Sequence, residues 1–277
     1  MRRDLFIALW LLGCRAEVDP AKVCAEARAL GVVARHGAEV DGDLLQAGSG
    51  LRCEDDVEAY RSAVAAMQRL PPRLRPAALS LEVEPTLAHD APRLRGVEMH
   101  RKSGALLVTR AVLAEAPSRS SQSVWLHELG HVRARGSRPT GKLAERLFSA
   151  LDEGFADYFA AVTSGASSVG PEAGEQRDLS APPRLGAGEW ASLAFENAFE
   201  PHRFGWAFAG ELYREEAQAG ALLDDLLSAL SSKEPWPTAQ RTPSNALDEL
   251  LRRCPPRSRE ALAGVLARFV PRELRQG

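Results

Sequence analysis

The stretch "VWLHELGHV", residues 124–132, decides how the fold of this chain is interpreted. It carries two of the six histidines four residues apart, and a glutamate directly follows the first. Residues four apart on an α-helix lie on one face about one turn apart, so His127 and His131 can present two imidazole nitrogens to one metal ion. Glu128 then lies about 100° further round, beside that ion, where it can take a proton from a metal-bound water. The alternative is an amphipathic helix whose histidines are incidental.

A third ligand comes from "LDEGFADYFA", residues 151–160. The intervening "RARGSRPTG" contains two glycines and a proline that end the first helix, so a short turn makes the two helices antiparallel neighbours. That geometry can bring Glu153 back to the metal, and a catalytic zinc takes three protein ligands. Asp157, one turn further on, could hold the other N–H of a histidine. Burying so many ionisable groups without a metal would be costly, which favours a metal site.

The two segments together resemble the gluzincins, the zinc peptidases that include the thermolysin and aminopeptidase N families. The resemblance covers about residues 105–215 and is specific at the two helices. It implies zinc ligands at His127, His131 and Glu153, a general base at Glu128, and outer hydrogen-bond partners at Asp157 for His127 and Asp152 for His131. The segment "EGFADYF" is more similar to the aminopeptidases than to the thermolysin family. However, "GVEMH", residues 96–100, does not match the motif with which the aminopeptidases hold a free amino terminus.

A later segment, "PHRFGWAFAGELY", resembles the thermolysin-family helix whose leading histidine donates a hydrogen bond to the oxyanion. This resemblance implies His202 as a catalytic donor, because such a donor meets charge that exists only in the transition state. Tyr158 and Tyr213 are weaker candidates for the same role. The alternative for His202 is a surface helix cap.

The first residues, "MRRDLFIALWLLGC", run from two arginines into a short apolar stretch and a cysteine. The stretch is too short to span a bilayer, and the pattern is typical of a secretory signal. Its ending resembles the lipobox of bacterial lipoproteins, which implies a signal peptide over residues 1–13 and a lipid anchor on Cys14. The protein is then an exported, membrane-anchored lipoprotein of the bacterial cell envelope. A buried N-terminal helix is the alternative.

The remaining cysteines are compatible with export. In an oxidising compartment Cys24 and Cys53 could pair, which leaves Cys254 unpaired. Cys254 as a small buried hydrophobic residue is an equally good interpretation.

The hydrophobic pattern predicts an α+β, mainly helical fold, with a small N-terminal sheet followed by a helical zincin-type catalytic region. Residues 14–77 form an N-terminal tether and helical region, in which residues 36–50 are loop or short strands and residues 53–72 contain one amphipathic helix. Residues 78–277 form the zincin-like metallopeptidase domain, with strands between 78 and 114 and helices between 118 and 277. Within it, residues 165–188 are a polar loop that either gates the substrate or is an insertion.

The composition limits the partners. A formal net charge of −2 with interspersed arginines and glutamates provides no basic face, which argues against nucleic acid as a partner. We therefore expect a membrane-tethered Zn²⁺ peptidase that acts on a peptide or protein, with the strand at residues 105–113 pairing with an extended substrate at the sheet edge. Two alternatives remain open: an envelope lipoprotein that keeps the zinc site without turnover, and a zinc hydrolase of a non-peptide bond.

Overall fold

A small mixed sheet and a larger set of helices form the protein, as shown by a computed structural model. It describes residues 19–38, 46–83, 97–100, 103–108, 119–170, 176–195, 198–219, 222–237 and 242–275. The mainly helical architecture agrees with the predicted α+β class. The predicted signal peptide and Cys14 lie outside the described residues. Within the described ranges, no helix combines the length and the apolar character that crossing a membrane requires.

The sheet has five strands in the order β2-β1-β3-β5-β4. Strand β3 is parallel to both β1 and β5, whereas β1 and β2, and likewise β4 and β5, are antiparallel. Strand β4 therefore lies at the edge nearest the helices that follow. The strands are β1 (Val32–Ala38), β2 (Gln46–Leu51), β3 (Leu79–Val83), β4 (Val97–Met99) and β5 (Leu106–Val108).

Two sequence predictions about this sheet were wrong. The sheet is not confined to residues 78–114, because β1 and β2 precede that interval. Their alternation of apolar and polar residues is interrupted by glycines and, in β1, by the adjacent basic residues Arg35 and His36. The predicted edge strand at residues 105–113 contains β5, which is interior and hydrogen-bonded on both sides. The edge strand on this side of the described sheet is β4, and β2 is the other edge strand. Strand order depends on pairing between distant segments, which a local pattern does not encode.

Two helices, α1 (Pro20–Ala29) and α2 (Val57–Arg69), belong to the N-terminal part. Aspartates accept hydrogen bonds from the first-turn N–H groups of both, as expected for N-caps. Cys24 and Cys53, which the sequence allowed to pair without determining the pairing, form a disulfide that joins α1 to the segment before α2. Cys254 is a buried free thiol, and burial raises its pKa to about 12.

The two helices predicted to carry the metal ligands are α3 (Arg119–Arg133) and α4 (Lys142–Ser164). They approach closely at Gly130, where an added β-carbon would lie 3.0 Å from the α-carbon of Ala156. A glycine at this position is therefore required for the helices to pack at this distance. The close packing sets the facing polar residues of the two helices against each other.

Six further helices and a two-stranded sheet complete the described chain. The strands β6 and β7 lie inside the predicted loop at residues 165–188, where Val169 and Leu179 are buried. The predicted helix over residues 189–199 is shorter: α5 continues only into a 3₁₀ turn that ends at Ala194. The elements are β6 (Ser168–Val169), β7 (Arg177–Asp178), α5 (Ala187–Ala191), α6 (Pro201–Ala219), α7 (Leu222–Ser231), α8 (Pro243–Arg253), α9 (Pro256–Phe269) and α10 (Arg272–Arg275).

Candidate metal centre

Helices α3 and α4 bury an unusual number of ionisable side chains between them. On α3, His127, Glu128 and His131 are each less than a tenth exposed. The facing side of α4 contributes carboxylates that are equally buried: Asp152, Glu153 and Asp157. Buried charges of this kind are stable only when they are paired or bound to a metal, so the cluster has to be explained by its partners.

Three atoms of this cluster form a nearly equilateral triangle. The Nε2 atoms of His127 and His131 lie 3.1 Å apart, and each lies 3.4 Å from Oε2 of Glu153. Ligands around a tetrahedral zinc ion with bonds of about 2.0–2.1 Å are separated by about 3.3 Å. The spacing of the donors therefore fits one metal ion, and the three residues together form a group that could hold one.

The second nitrogen of each histidine faces an aspartate. Nδ1 of His127 lies 2.7 Å from Oδ1 of Asp157, and Nδ1 of His131 lies 3.4 Å from Oδ2 of Asp152. A proton held at Nδ1 leaves the Nε2 lone pair available to a metal. The structure thus brings together both aspartates named from the sequence and the two histidines they were assigned to.

Two arginines behind these aspartates were missed by the sequence analysis. The guanidinium of Arg177 donates to both carboxylate oxygens of Asp157, over 2.7 and 2.8 Å. Arg138 donates to Oδ2 of Asp152. Buried aspartates next to histidines require a positively charged partner, and this requirement was the signal in the sequence that could have pointed to an arginine. It does not identify the partner, because arginines are scattered through both adjoining loops.

Burial and ion pairing act in opposite directions on the pKa values of this site. Burial lowers the pKa of His127, but the hydrogen bond and charge of Asp157 outweigh it and raise this pKa to about 9. Burial lowers the pKa of His131 as well, but the charges and hydrogen bonds of Asp152 and Glu153 together raise this pKa well above its usual value. Burial raises the pKa of Glu153, but hydrogen bonds from both histidines give a net lowering. The cluster holds protons where a divalent cation would replace them.

Glu128 lies beside the triangle and not within it. Its Oε1 is 3.9 Å from Nε2 of His127, and its Oε2 accepts a 2.7 Å hydrogen bond from the backbone N–H of Met99 in edge strand β4. Burial raises the pKa of Glu128, while the facing histidines and the Met99 N–H lower it in part. The sequence analysis did not find the Met99 contact. The position of the Glu128 carboxylate suits proton transfer next to the metal group.

His202 also approaches the cluster, from the first turn of α6. Its Nε2 lies 3.5 Å from Oε2 of Glu153, and its Nδ1 lies 3.0 Å from Oε1 of Glu200. The side chain is 54% exposed, so the ring lies at an opening towards solvent.

The two tyrosines proposed as alternatives to His202 lie elsewhere. The hydroxyl of Tyr158 is engaged with Glu216, which is about 21 Å from His202 along α6. Tyr213 lies about three turns along α6 from His202. Of the three donors considered from the sequence, the structure brings only His202 to the metal group.

Comparison of the chain with models of known protein families gave no match, and comparison with curated proteins likewise found none.

Proposed function

We propose that the protein is a zinc-dependent peptidase of the gluzincin type, built on a zincin-like fold. The observation that carries this proposal is the triangle of His127 Nε2, His131 Nε2 and Glu153 Oε2, with the Glu128 carboxylate beside it. Two histidines and one carboxylate are a ligand set used by catalytic zinc sites, which leave one position open. The donor types favour zinc over calcium or magnesium, which prefer oxygen ligands.

A bound zinc ion would polarise the scissile carbonyl and make the attacking water more acidic. Glu128 accepts the proton of that water on one carboxylate oxygen and returns it to the leaving amine. The Met99 N–H holds the other oxygen and so orients the base. Glu200 accepts a hydrogen bond from His202 Nδ1 and so orients the ring with Nε2 towards the metal group. In its imidazolium form the ring can donate a second hydrogen bond, from Nε2, to the oxyanion.

The position of β4 supports an extended peptide as the substrate. In the described sheet β4 is paired on one side only, with β5, and Met99 of this strand touches the general base. An extended peptide that adds to this edge by main-chain hydrogen bonds would place a peptide bond beside Glu128. This assigns to β4 the substrate-pairing role that the sequence analysis expected of residues 105–113.

The proposal includes export and a lipid anchor on Cys14, supported by the N-terminal sequence. The Cys24–Cys53 disulfide supports this part, because disulfides persist mainly in oxidising compartments. Several acyl chains on one residue would hold the protein stably on a membrane.

The test is to measure the zinc content of the wild type and of Glu153→Ala, together with digestion of denatured casein by the wild type and Glu128→Gln. We expect one zinc per chain that is lost with Glu153, and cleavage that stops in Glu128→Gln while its zinc stays. A wild type without zinc would refute the site. Bound zinc without cleavage of any peptide would refute the peptidase and favour a zinc-binding lipoprotein.

A further inference from the structure

The linker between the two metal-binding helices, residues 134–141, is fastened to the C-terminal helical part of the chain. The Ser137 N–H donates to the carbonyl of Ser232 over 2.8 Å, and the Trp236 indole N–H donates to the Ser137 carbonyl over 2.8 Å. Gly136 permits this contact, since an added β-carbon would lie 2.1 Å from the carbonyl oxygen of Leu230. The linker is therefore attached through its backbone to the segment that follows α7.

Trp236 is itself fixed by two neighbours from different helices. The guanidinium of Arg253 lies 4.4 Å from its ring centroid, and the Phe148 ring packs edge-on at 5.3 Å. The Arg253 side chain is 3% exposed, and it also donates to the Glu234 carbonyl over 2.9 Å and to Ser137 Oγ over 3.2 Å. A buried arginine with these partners has no role in the proposed chemistry, but it holds Trp236 and the linker in one position.

The residue after Ser137 connects this attachment to the metal group. Arg138 donates to Asp152 and lies 5.5 Å from the Phe148 ring centroid, and Asp152 faces Nδ1 of His131. The contacts thus run without a break from Trp236 through the linker and Asp152 to a metal ligand. Phe148, one turn before Asp152 on α4, lies against both Trp236 and Arg138.

The support of His127 is separate. It runs through Asp157 to Arg177 on β7 and does not include Trp236 or the linker. The two histidine ligands are therefore held by different parts of the chain, His127 by the β6–β7 hairpin and His131 by the C-terminal helices. The Asp152–His131 distance of 3.4 Å is longer than the corresponding 2.7 Å at His127. Because the contact between Asp152 and His131 is longer, residues that hold Asp152 can change the orientation of the His131 ring more than residues that hold Asp157 can change that of His127.

We propose that Arg138 is a positioning residue for the ligand His131, and that the C-terminal helical part, residues 222–275, sets the geometry of this ligand through Trp236 and the linker. This inference rests on the metal site of the proposed function. Loss of an outer partner of a metal-binding histidine typically reduces metal affinity about 10–100-fold. Because coupling is reciprocal, metal binding must in turn protect the linker and residues 232–236 from hydrogen exchange.

The experiment measures the zinc dissociation constant of the full chain by chelator competition, for the wild type, Arg138→Ala, Arg138→Lys, Asp152→Asn and the double variant Arg138→Ala/Asp152→Asn. We expect Arg138→Ala to weaken binding about 10–100-fold and Arg138→Lys to restore most of it. The double variant should bind no more weakly than the weaker single variant, since residues acting through one path are not additive. Visible absorption of the cobalt-substituted forms should change in Arg138→Ala and not in Arg138→Lys.

Trp236→Phe tests the distal end of the path, because it keeps an aromatic ring but removes the hydrogen bond to Ser137 and part of the ring that faces Arg253 and Phe148. We expect a smaller loss of zinc affinity in the same direction, and faster hydrogen exchange at residues 134–141 in the zinc-loaded form. Arg257→Ala is the matched control: it removes another arginine that pairs with a buried aspartate, Asp225, but has no contact with this path. It should leave the zinc affinity unchanged.

The outcomes separate this inference from the proposed function. If the wild type binds no zinc, both fail together. If the wild type binds zinc and Arg138→Ala and Trp236→Phe bind it equally well, the metal site stands and the inference is overturned. Additive losses in the double variant would also overturn it, because Arg138 would then act other than through Asp152. If Arg138→Ala does not fold, Trp236→Phe decides the question by the same measurements: a wild-type zinc affinity together with unchanged exchange at residues 134–141 would overturn the inference.

Discussion

Gly205 lies directly against Glu153: a β-carbon added to Gly205 would be 2.7 Å from the β-carbon of Glu153. In return, a β-carbon added to Gly154 would lie 2.5 Å from the Gly205 carbonyl oxygen. The pair of glycines lets α6 pack on α4 at the turn that carries Glu153 of the proposed metal site. His202, one turn earlier on α6, is placed next to Glu153 by this contact.

Gly205→Ala should therefore force α6 away from α4. We expect a loss of about 1–3 kcal/mol in the free energy of unfolding, from overpacking against backbone. Peptide cleavage should fall as His202 moves from the metal group. The control is Gly264→Ala in α9, where the nearest atom to an added β-carbon is the end of a flexible arginine at 3.5 Å. Urea unfolding and casein digestion measure both effects, and equal behaviour of the two variants would contradict the packing argument.

Asp157→Asn should weaken metal binding and destabilise the metal-free protein. The substitution keeps the shape but removes the charge shared by His127 and Arg177, which leaves the buried guanidinium without its counterion. We expect about a 10–100-fold loss of zinc affinity and a loss of stability of about 3–5 kcal/mol. Asp178→Asn, on the next residue to Arg177, is the control and should bind zinc normally. A normal zinc affinity in Asp157→Asn would show that the aspartate does not orient His127.

Asp225 should contribute a pH-dependent part of the stability. This buried carboxylate accepts hydrogen bonds from Arg257 and Ser258, and Arg257 lowers its pKa against the opposing effect of burial. Because the folded pKa lies below the unfolded value of about 3.9, the stabilisation is complete above that value. It is lost as the pH falls through the folded pKa.

Asp225→Asn should therefore be less stable than the wild type by about 1–2 kcal/mol at pH 7, and the difference should shrink below about pH 4. Urea unfolding with chelator present, at several pH values, isolates the effect of this residue. Asp224→Asn removes a neighbouring exposed carboxylate paired with Arg73 and should change little at any pH. A difference between Asp225→Asn and the wild type that is independent of pH would contradict the ion-pair explanation.

The Cys24–Cys53 disulfide should stabilise the fold without affecting the metal. It closes a loop with a sequence separation of 29, for which the entropic contribution is about 3–4 kcal/mol. We expect the free energy of unfolding of Cys24→Ser/Cys53→Ser to fall by this amount, so that its urea midpoint is lower. Its zinc affinity should stay the same, because the proposed ligands lie on α3 and α4. Reduction of the wild type should reproduce the loss. An unchanged unfolding midpoint in the double variant would contradict the estimated contribution of the disulfide.

Part of this site was predictable from local sequence. The spacing of His127 and His131 places both on one face of a helix, and Asp157 follows Glu153 by one turn. Both statements depend only on the helical period of 3.6 residues. The antiparallel return of α4 followed from the short linker between the helices. A disulfide between Cys24 and Cys53 could be suggested for an oxidising compartment, but the sequence did not determine how the three cysteines after Cys14 pair.

By itself, then, the sequence determined which helices form, which of their faces are polar, and which residue types could bind a metal. Only the tertiary structure decided that Arg138 and Arg177 support the two aspartates, that Met99 of β4 touches Glu128, and that β4 forms the sheet edge. These contacts join segments 14 to 29 residues apart, and the Trp236 contact spans 99 residues. Helical and strand periodicity describes only neighbours along the chain, so contacts of this kind depend on how the whole core packs.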